Sequence, residues 1–230
     1  MRVAEQWQQG NVFLAGDAAH QTPPFFGQGM CHGFRDVANL AWKMAEIKNN
    51  GAEPGILDTY QPERDPHVRA VIGAAVNVGR YICVLDPDAA AERDRTMRER
   101  ATFGTSETAG DLIPAIETGI VLASEGAGER FIQPRVDDKL LLDAFTGGGW
   151  RLFVRDDSAS ATAADVTVVN LARHEGLGDV AAWLDAKSAD AVLVRPDHYV
   201  FGTAQGSAKE LLEARRGVLG LGEAKAQEAA

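Results

Sequence analysis

The sequence predicts a two-part α/β protein in which a strand and long helices are followed by a smaller α/β domain. A short apolar run at residues 12–15 precedes glycine-containing turns and a long helical pattern, which is the order strand, turn, helix. Residues 101–128 combine glycines with scattered Thr and Ser, and they predict a linker or an irregular crossover. Beyond residue 128, β-branched runs alternate with short helical segments.

The composition is that of an ordinary globular protein and argues against several classes of partner. Of the 230 residues, 45% are hydrophobic and 24% are charged. The net charge of −10 argues against nucleic acid and against an anionic membrane. No apolar run approaches the roughly 20 residues of a membrane span, and no signal peptide follows Met1. We therefore expect a cytoplasmic protein.

The cysteine content is low. Two isolated residues, Cys31 and Cys83, predict free thiols in a reducing compartment. Neither the cysteines nor the five histidines show the spacing of metal ligands, so no metal site is predicted.

The helix that begins after Gly29 is expected to be buried on two sides, because apolar residues recur in two adjacent stripes. These residues are Phe34, Val37, Ala38, Ala41, Trp42 and Ala45 in one stripe, and Leu40, Met44 and Ile47 in the other. Phe34 and Trp42 are predicted to be core residues. Arg35 and Asp36 are predicted either as an exposed ion pair or, for Asp36, as a link to a preceding part of the fold.

A second helical region follows. A short helical turn at residues 56–60 leads into a longer helix, and Pro62 and Pro66 are both placed in its first turn. Arg64 and His67 are predicted as surface or interdomain contacts. Residues 89–100 predict a further helix.

The last part of the chain predicts a strand, a helix, a hairpin and a helix. The segments are residues 150–154, 166–171, 179–186, 191–195, 199–203 and 206–216, with residues 139–145 before a Gly-rich turn. This order is that of the second half of a thioredoxin-like domain. No Cys-x-x-Cys is present, which argues against dithiol redox chemistry.

The turns around the first helix have the chemistry of a cofactor site. Asp17 follows the strand and can accept hydrogen bonds from hydroxyl groups of a sugar or ribityl chain. Gly27-Gln28-Gly29 lets the backbone approach a ligand closely. The helix start then offers unpaired N–H groups and about half a positive charge.

Residues 12–43 resemble the second FAD-binding motif of the aromatic-ring flavin monooxygenases of the para-hydroxybenzoate hydroxylase type. The resemblance continues more loosely through residues 57–67, and it is greatest to the phenylpropionate and phenol hydroxylase branch. Members of this family carry Gly-x-Gly-x-x-Gly ahead of the motif, and no such sequence begins this chain. We therefore expect the C-terminal part of a FAD-binding hydroxylase domain.

The resemblance also implies a domain division. It places the FAD-binding segment in residues 1–100, a linker in 101–128, a thioredoxin-like domain in 129–222 and a flexible tail in 223–230. Residues 131–136 resemble the entry segment of the thioredoxin-like domain of that branch. The strand at residues 12–15 would belong to a sheet built largely from the preceding part of the family's fold, and here it would have no neighbour.

The resemblance implies roles for individual residues. The residues implied to bind FAD are Gly16, Asp17, Pro24, Gly27, Gln28, Gly29, Met30 and Cys31. The carbonyls of Pro23 and Pro24 would line the meeting point of flavin and substrate, which makes these prolines the candidate catalytic positions. Most family members have Asn where Cys31 stands. His20 is expected to pack or hydrogen-bond beside the motif.

The implied parent enzyme is an FAD-dependent, NAD(P)H-using monooxygenase that hydroxylates a phenolic or related aromatic substrate with O2. Two alternatives remain open. The chain could be a non-catalytic scaffold or interaction fragment, or a flavoprotein of the same fold that is a reductase or a halogenase. A homodimer, or pairing with the ADP-binding part of the fold, is expected because one apolar side of the first helix would lose its partner.

Overall fold

The computed structural model describes residues 2–102, 113–136 and 139–221. The chain divides into two compact units. Unit 1 comprises Met1–Val37 and Arg64–Pro114, and unit 2 comprises Ala38–Glu63 and Ala115–Ala230. The domain boundaries inferred from the sequence stay a prediction. The predicted tail and residues 103–112 of the predicted linker lie outside the described residues.

Unit 1 begins with four two-residue strands, which form two antiparallel pairs. They are β1 (Arg2–Val3), β2 (Gln8–Gln9), β3 (Val12–Phe13) and β4 (His20–Gln21). Strand β1 pairs with β4, and β2 pairs with β3. The predicted strand at residues 12–15 is therefore present but shorter, and the expectation that it has no neighbour is wrong. Gly10, with φ of 57°, allows the two-residue turn that folds β2 back onto β3.

The predicted helices are all present in the described residues. Helix α1 spans Gly29–Ala45 and continues as a π-helical turn over Glu46–Asn50, which ends at Gly51 with φ of 72°. A 3₁₀ turn at Pro54–Thr59 leads into α2 (Tyr60–Ile82), and α3 spans Pro87–Thr102.

Helix α2 continues through Pro66, which lies beyond the first turn where the sequence reasoning placed it. A proline inside a helix leaves the carbonyl four residues earlier without its intrahelical donor. Here that carbonyl is on Pro62, and it accepts a hydrogen bond of 3.1 Å from the Thr118 hydroxyl. The helix therefore tolerates Pro66 because the orphaned carbonyl has another partner.

Helix α1 buries a polar face and exposes an apolar one, which contradicts the predicted burial on two apolar sides. Met30, Phe34, Val37 and Met44 are 72%, 66%, 55% and 44% exposed. The buried stripe consists of polar residues at the same helical spacing, namely His32, Asp36, Asn39, Lys43 and Glu46. Phe34 is thus not a core residue, whereas the prediction for Trp42 is confirmed. Asp36, Asn39, Lys43 and Glu46 can occupy such positions because each has hydrogen-bond partners, whereas the two ring nitrogens of His32 have none.

Unit 2 is built on a mixed four-stranded sheet. Its strands are β7 (Trp150–Val154), β8 (Val166–Asn170), β9 (Ala191–Val194) and β10 (Val200–Ala204), preceded by a small pair, β5 (Arg135–Val136) and β6 (Leu140–Leu141). The sheet order is β10-β9-β7-β8, with β7 parallel to β8 and β9 antiparallel to β7 and β10. This is the strand order of a thioredoxin-like sheet, as predicted.

Three helices complete this unit. They are α4 (Leu142–Thr146), α5 (Gly178–Ala186) and α6 (Lys209–Val218). Helix α5 and the β9–β10 hairpin confirm the sequence prediction, and α6 begins three residues later than expected. The region predicted at residues 139–145 is the short strand β6 followed by α4.

Alternate residues of β7 belong to two separate hydrophobic cores. Trp150, Leu152 and Val154 belong to one cluster, and Phe153 belongs to the other. Since successive strand residues point to opposite faces, the two cores lie on opposite faces of the sheet. The first cluster also contains Trp42, whose ring meets that of Trp150 edge-on at 5.5 Å between centroids. The second half of α1 is therefore packed on this sheet.

A buried group of charges lies beside this core, and we call it the Glu63 cluster. It consists of Asn39, Lys43, Glu63, Arg195 and Asp197, all buried or nearly so. Oε2 of Glu63 lies 2.7 Å from Nη2 of Arg195 and 3.1 Å from Nζ of Lys43. It also accepts a hydrogen bond of 2.7 Å from the Asn39 amide.

The Glu63 cluster also fixes the irregular segment at residue 120. Ile120 donates its N–H to Oε1 of Glu63 at 2.8 Å, and its carbonyl accepts from Nη1 of Arg195 at 2.9 Å. Burial by itself would raise the pKa of Glu63, but the charges of Arg195 and Lys43 lower it to about 2. Burial lowers the pKa of Lys43 to about 8, in spite of the Glu63 carboxylate beside it.

Among the described residues, no single helix is both long and apolar enough to cross a membrane. One pair, Pro54–Ile82 with Pro87–Glu99, meets the length and composition requirements together and is bent by 116° at its break.

We expect Glu63→Gln to lower the free energy of unfolding by about 3–5 kcal/mol, because it leaves Arg195 and Lys43 buried without their counter-charge. Urea denaturation followed by circular dichroism measures this change. The control is Arg69→Gln, which removes an exposed ion pair with Asp65 and should change stability by less than about 1 kcal/mol. Equal effects of the two variants would contradict the structural importance of the cluster.

Glu63 also makes a specific contribution to acid sensitivity. The folded-state pKa of Glu63 is about 2, below its ordinary value of 4.5. The ionised carboxylate therefore stabilises the fold fully above pH 4.5, and this stabilisation is lost as the pH falls toward 2. We expect the difference in unfolding free energy between the native chain and Glu63→Gln to shrink across this interval. A difference that stays constant from pH 6 to pH 2 would show that Glu63 does not titrate as described.

Candidate cofactor site

The turn after β3 presents the Asp17 carboxylate. Gly16, with φ of 57°, begins a 3₁₀ turn over Gly16–Ala18, which is closed by a 2.9 Å hydrogen bond from the Ala19 N–H to the Gly16 carbonyl. Asp17 is exposed at the middle of this turn. A carboxylate in that position can accept hydrogen bonds from hydroxyl groups of a bound molecule.

This turn is in close contact with α1. A Cβ on Gly16 or on Gly33 would lie 3.5 Å from the Cα of the other residue, so the two backbones meet without side chains between them. The Gly16 N–H also donates a 3.0 Å hydrogen bond to Oδ2 of Asp36 on the same helix. The two glycines therefore have a packing role in addition to their conformational one.

Asp36 is the buried centre of the polar contacts in unit 1. Its Oδ2 lies 2.6 Å from Nε2 of His20, and its Oδ1 accepts a 2.9 Å hydrogen bond from Nε of Arg64. Burial alone would raise the pKa of Asp36, but the His20 hydrogen bond and the Arg64 charge hold it below its usual value. The expected place of His20 beside the motif is confirmed. The prediction that Arg35 and Asp36 form an exposed ion pair is wrong, because Asp36 is fully buried.

Arg64 and His67 are also buried, so the surface location that was one of the two predicted alternatives is wrong. Three histidine rings lie in a row in this region. The ring centroids of His20 and His32 are 5.8 Å apart, and those of His32 and His67 are 6.3 Å apart. Burial, assisted by the Arg64 charge, lowers the pKa of His32 to about 4 and that of His67 to about 3. Both rings are therefore neutral at physiological pH. The spacing of His32 and Asp36, four residues apart on α1, was the sequence signal for this buried face.

The proline loop is anchored by Phe25. Pro24–Phe26 form a 3₁₀ turn that ends at Gly27, with φ of 62°, whose N–H donates to the Pro24 carbonyl at 3.0 Å. A Cβ on Gly79 of α2 would come within 2.2 Å of the Phe25 ring, so this glycine provides the space in which the ring sits. Pro23 is half-buried and Pro24 is exposed. The Pro24 carbonyl already accepts one hydrogen bond, which leaves that of Pro23 the more available to a ligand.

The start of α1 is open. Gln28, which precedes the helix, accepts the His32 N–H through its carbonyl at 2.9 Å and contacts Arg35 through its side chain at 3.4 Å. The helix has no acidic residue in its first turn. A Cβ on Gly27 or on Gly29 would meet no atom within 4 Å. The first N–H groups of a helix have no intrahelical acceptor, so this end can receive the electron-rich edge of a ligand.

Met30 and Cys31 follow in the first turn. Met30 is exposed and Cys31 is half-buried, and the backbone N–H groups of both belong to the open end of α1. Cys31 and the exposed Cys83 are both free thiols, which confirms that prediction. Among the described residues, no group of three His, Cys, Asp or Glu side chains is arranged to hold a metal ion.

The residues present fit FAD. A polar ribityl chain requires an acceptor for its hydroxyl groups, and a flavin ring edge requires backbone donors. The exposed carboxylate of Asp17 and the first N–H groups of α1 supply these. Residues 1–75 match the family described as the FAD binding domain. Over most of its length the chain is similar to proteins named as hydroxylases of aromatic compounds.

Three known proteins illustrate this relationship. A probable NADH-specific resorcinol 4-hydroxylase from Rhodococcus jostii (strain RHA1) is 36% identical over 92% of this chain and 44% of its own length. A 3-(3-hydroxy-phenyl)propionate/3-hydroxycinnamic acid hydroxylase from Mycobacterium sp. (strain JLS) is 32% identical over 96% of this chain and 46% of its own length. The structure of the OxyS anhydrotetracycline hydroxylase from Streptomyces rimosus superposes with a TM-score of 0.70 at 28% identity, covering 95% of this chain and 46% of that one.

The chain thus spans about half the length of the curated relatives that it matches. The match extends through both units, since it covers more than nine-tenths of this chain. The predicted resemblance to flavin monooxygenases is therefore confirmed.

The two buried histidines predict a stability change in mild acid. Both pKa values lie below the ordinary 6.5, so the unfolded chain binds protons that the folded chain does not, and stability falls as the pH drops from about 6.5 to about 4. We expect the double variant His32→Gln/His67→Gln to flatten this part of the curve of unfolding free energy against pH. An unchanged slope in the double variant would show that other groups are responsible.

Proposed function

We propose that the chain is the flavin-facing part of an FAD-dependent monooxygenase that uses NAD(P)H and O2 to hydroxylate a phenolic or related aromatic ring. The observation that carries this proposal is the pairing of the exposed Asp17 turn with the open start of α1. The two are held in contact through Gly16 and Gly33, within the residues that match the FAD binding domain.

Each part of this arrangement has a defined role toward FAD. The Asp17 carboxylate would accept hydrogen bonds from the ribityl hydroxyls. The N–H groups of Met30 and Cys31 would serve the pyrimidine end of the flavin, where the helix start would favour negative charge by roughly 0.3–2 kcal/mol. These contacts need backbone and not side-chain groups at position 31, so the cysteine is compatible with them.

FAD supplies the redox and oxygen chemistry of such an enzyme. The chain's contribution is to bind the cofactor, to place the aromatic ring and to exclude water. Pro23 and Pro24 provide carbonyl oxygens and rigid apolar surface for this purpose, and Phe25 holds their loop against α2. His32 and His67 are buried and neutral, so we assign them no proton transfer with the substrate.

The substrate class is inferred from the names of the relatives. One is described as a resorcinol hydroxylase and another as a hydroxyphenylpropionate hydroxylase, and both names denote ring-hydroxylated aromatic compounds. A hydroxyl on the ring makes it electron-rich, which suits attack on an electrophilic oxygen. NADH specificity in the name of the Rhodococcus relative supports a reduced nicotinamide as co-substrate.

The exposed apolar face of α1 supports a further part of the proposal, namely association. Met30, Phe34, Val37 and Met44 together form a stripe along one helix, and such stripes are seldom left in contact with water. We propose that this face is covered in a homodimer or by the ADP-binding part of the FAD domain. The free thiols Cys31 and Cys83 suit the reducing cytoplasm as the place of action.

Asp17→Ala should weaken FAD binding about 10- to 100-fold, because the hydroxyls lose a charged acceptor worth about 1.5–3 kcal/mol. The measurement is FAD titration by fluorescence in the complete natural polypeptide that contains these residues, together with phenol-stimulated oxidation of NADH. Asp88→Ala, at another exposed aspartate, is the control and should bind FAD normally. FAD affinity unchanged in the Asp17 variant would contradict the assigned role.

Phe34→Asp should abolish association through the apolar face of α1 while leaving the helix intact, because the side chain is exposed. Sedimentation velocity measures the oligomeric state of the 230-residue chain, alone and mixed with an ADP-binding fragment. Leu85→Asp is the matched control, since Leu85 is 94% exposed and lies outside α1. Monomeric behaviour of the native chain under both conditions would overturn the proposed association.

A further inference from the structure

Asp36 joins helix α1 to the turn that carries Asp17. Its Oδ2 accepts the Gly16 N–H at 3.0 Å and lies 2.6 Å from Nε2 of His20, and its Oδ1 accepts from Nε of Arg64 at 2.9 Å. The three side chains are all buried. One buried carboxylate therefore has a backbone contact on the turn and a side-chain contact on α2.

Charge neutralisation accounts for only part of this geometry. An ion pair with Arg64 uses Oδ1 and would be satisfied wherever Oδ2 pointed. Oδ2 contacts both Nε2 of His20 and the backbone N–H of Gly16, and charge-assisted hydrogen bonds of this kind are stronger than neutral ones. The second oxygen therefore constrains the turn and not only the charge balance.

The constrained N–H belongs to the residue directly before Asp17. Gly16 has φ of 57°, a left-handed conformation that glycine reaches without steric cost but does not by itself prefer. A hydrogen bond on one side and the close approach of the Gly33 backbone on the other select this conformation. The torsions of Gly16 set the direction in which the chain enters Asp17, so they set where its carboxylate lies relative to α1.

We infer that Asp36 is a positioning residue that holds the Asp17 carboxylate in register with the start of α1, so that one FAD molecule reaches both. The inference rests on the proposed function, because FAD is the ligand that spans the two. Asp36 is fully buried and reaches the Asp17 turn through the Gly16 N–H, so it makes no contact of its own with FAD.

A double-mutant cycle on FAD affinity separates positioning from simple stabilisation. The variants Asp17→Ala, Asp36→Asn and the double variant are compared in the complete natural polypeptide by FAD titration, with circular dichroism to confirm folding. If Asp36 acts through Asp17, each single variant should weaken FAD binding, and Asp36→Asn should weaken it about tenfold. The double variant should then bind FAD as tightly as Asp17→Ala does. Fully additive losses would overturn the inference.

Glu63→Gln is the matched control. Glu63 is an equally buried carboxylate paired with an arginine, but its partners are Arg195, Lys43, Asn39 and Ile120, and none of these belongs to the turn. Loss of a buried charge pair alone should reduce stability in both Asp36→Asn and Glu63→Gln, and only Asp36→Asn should show coupling to Asp17. Equal coupling in the two variants would mean that the effect is general destabilisation.

Two further measurements keep the outcome decisive. If Asp36→Asn does not fold, Asp36→Glu replaces it, since glutamate keeps the charge opposite Arg64 and displaces the carboxylate from Gly16 by one methylene. The Gly16 amide should exchange with deuterium faster in either variant, and unchanged exchange would overturn the inference without reference to FAD. A native polypeptide that binds no FAD overturns the proposed function and the inference with it, whereas FAD binding with additive losses overturns the inference alone.

Discussion

Helix α1 buries ionisable side chains along its length, and Asp36, Lys43 and Glu46 each meet an opposite charge there. Two consecutive residues near the start of α2 supply the main counter-charges. Arg64 pairs with Asp36, and Glu63 pairs with Lys43. Because an unpaired buried charge costs several kcal/mol, these pairs fix which residues of α2 lie opposite which residues of α1.

Such pairs give specificity more than net stability. Replacing a buried ion pair with apolar residues of similar size is often neutral or even stabilising, whereas mismatching it is costly. A shift of α2 by one residue would place an acidic side chain at the position of Arg64, next to Asp36. The alternation of Glu63 and Arg64 therefore penalises incorrect register. Apolar contacts alone would not do this, because they tolerate sliding.

The sequence was sufficient to predict the long helices and the four strands of the unit 2 sheet in their order, because each rests on a local signal. The two-residue strands β1, β2, β4 and β5 were not predicted. Glycine turns, β-branched runs and helical spacing are readable within about 5–20 residues. The β9–β10 hairpin and α5 follow from such signals, as do Gly16 and Gly27, whose positive φ angles suit the turns predicted there. The exposed position of Asp17 on its turn is likewise a local consequence of the Gly-Asp sequence.

The orientation of α1 could not be predicted in the same way. Apolar periodicity through Phe34 and Val37 favoured burial of that face, while polar residues at the same spacing received no weight. The burial of these residues depends on partners distant in sequence, such as Arg64 opposite Asp36. It also depends on the energetic balance between paired polar groups and apolar surface. Arg64 and His67 were misplaced for the same reason. The tolerance of Pro66 depends on Thr118, another distant partner.

Gly79 of α2 lies against the proline loop, and this contact limits which substitutions can stabilise the protein. A glycine within a helix costs about 1 kcal/mol relative to alanine, so a search for stabilising substitutions would select this position early. The methyl group would occupy the space of the Phe25 ring and push away the loop that carries Pro23 and Pro24. Helix α2 thus retains an unfavourable residue for the benefit of a loop more than fifty residues earlier in the chain. A more thermostable variant obtained by this substitution would have a displaced loop at the candidate cofactor site.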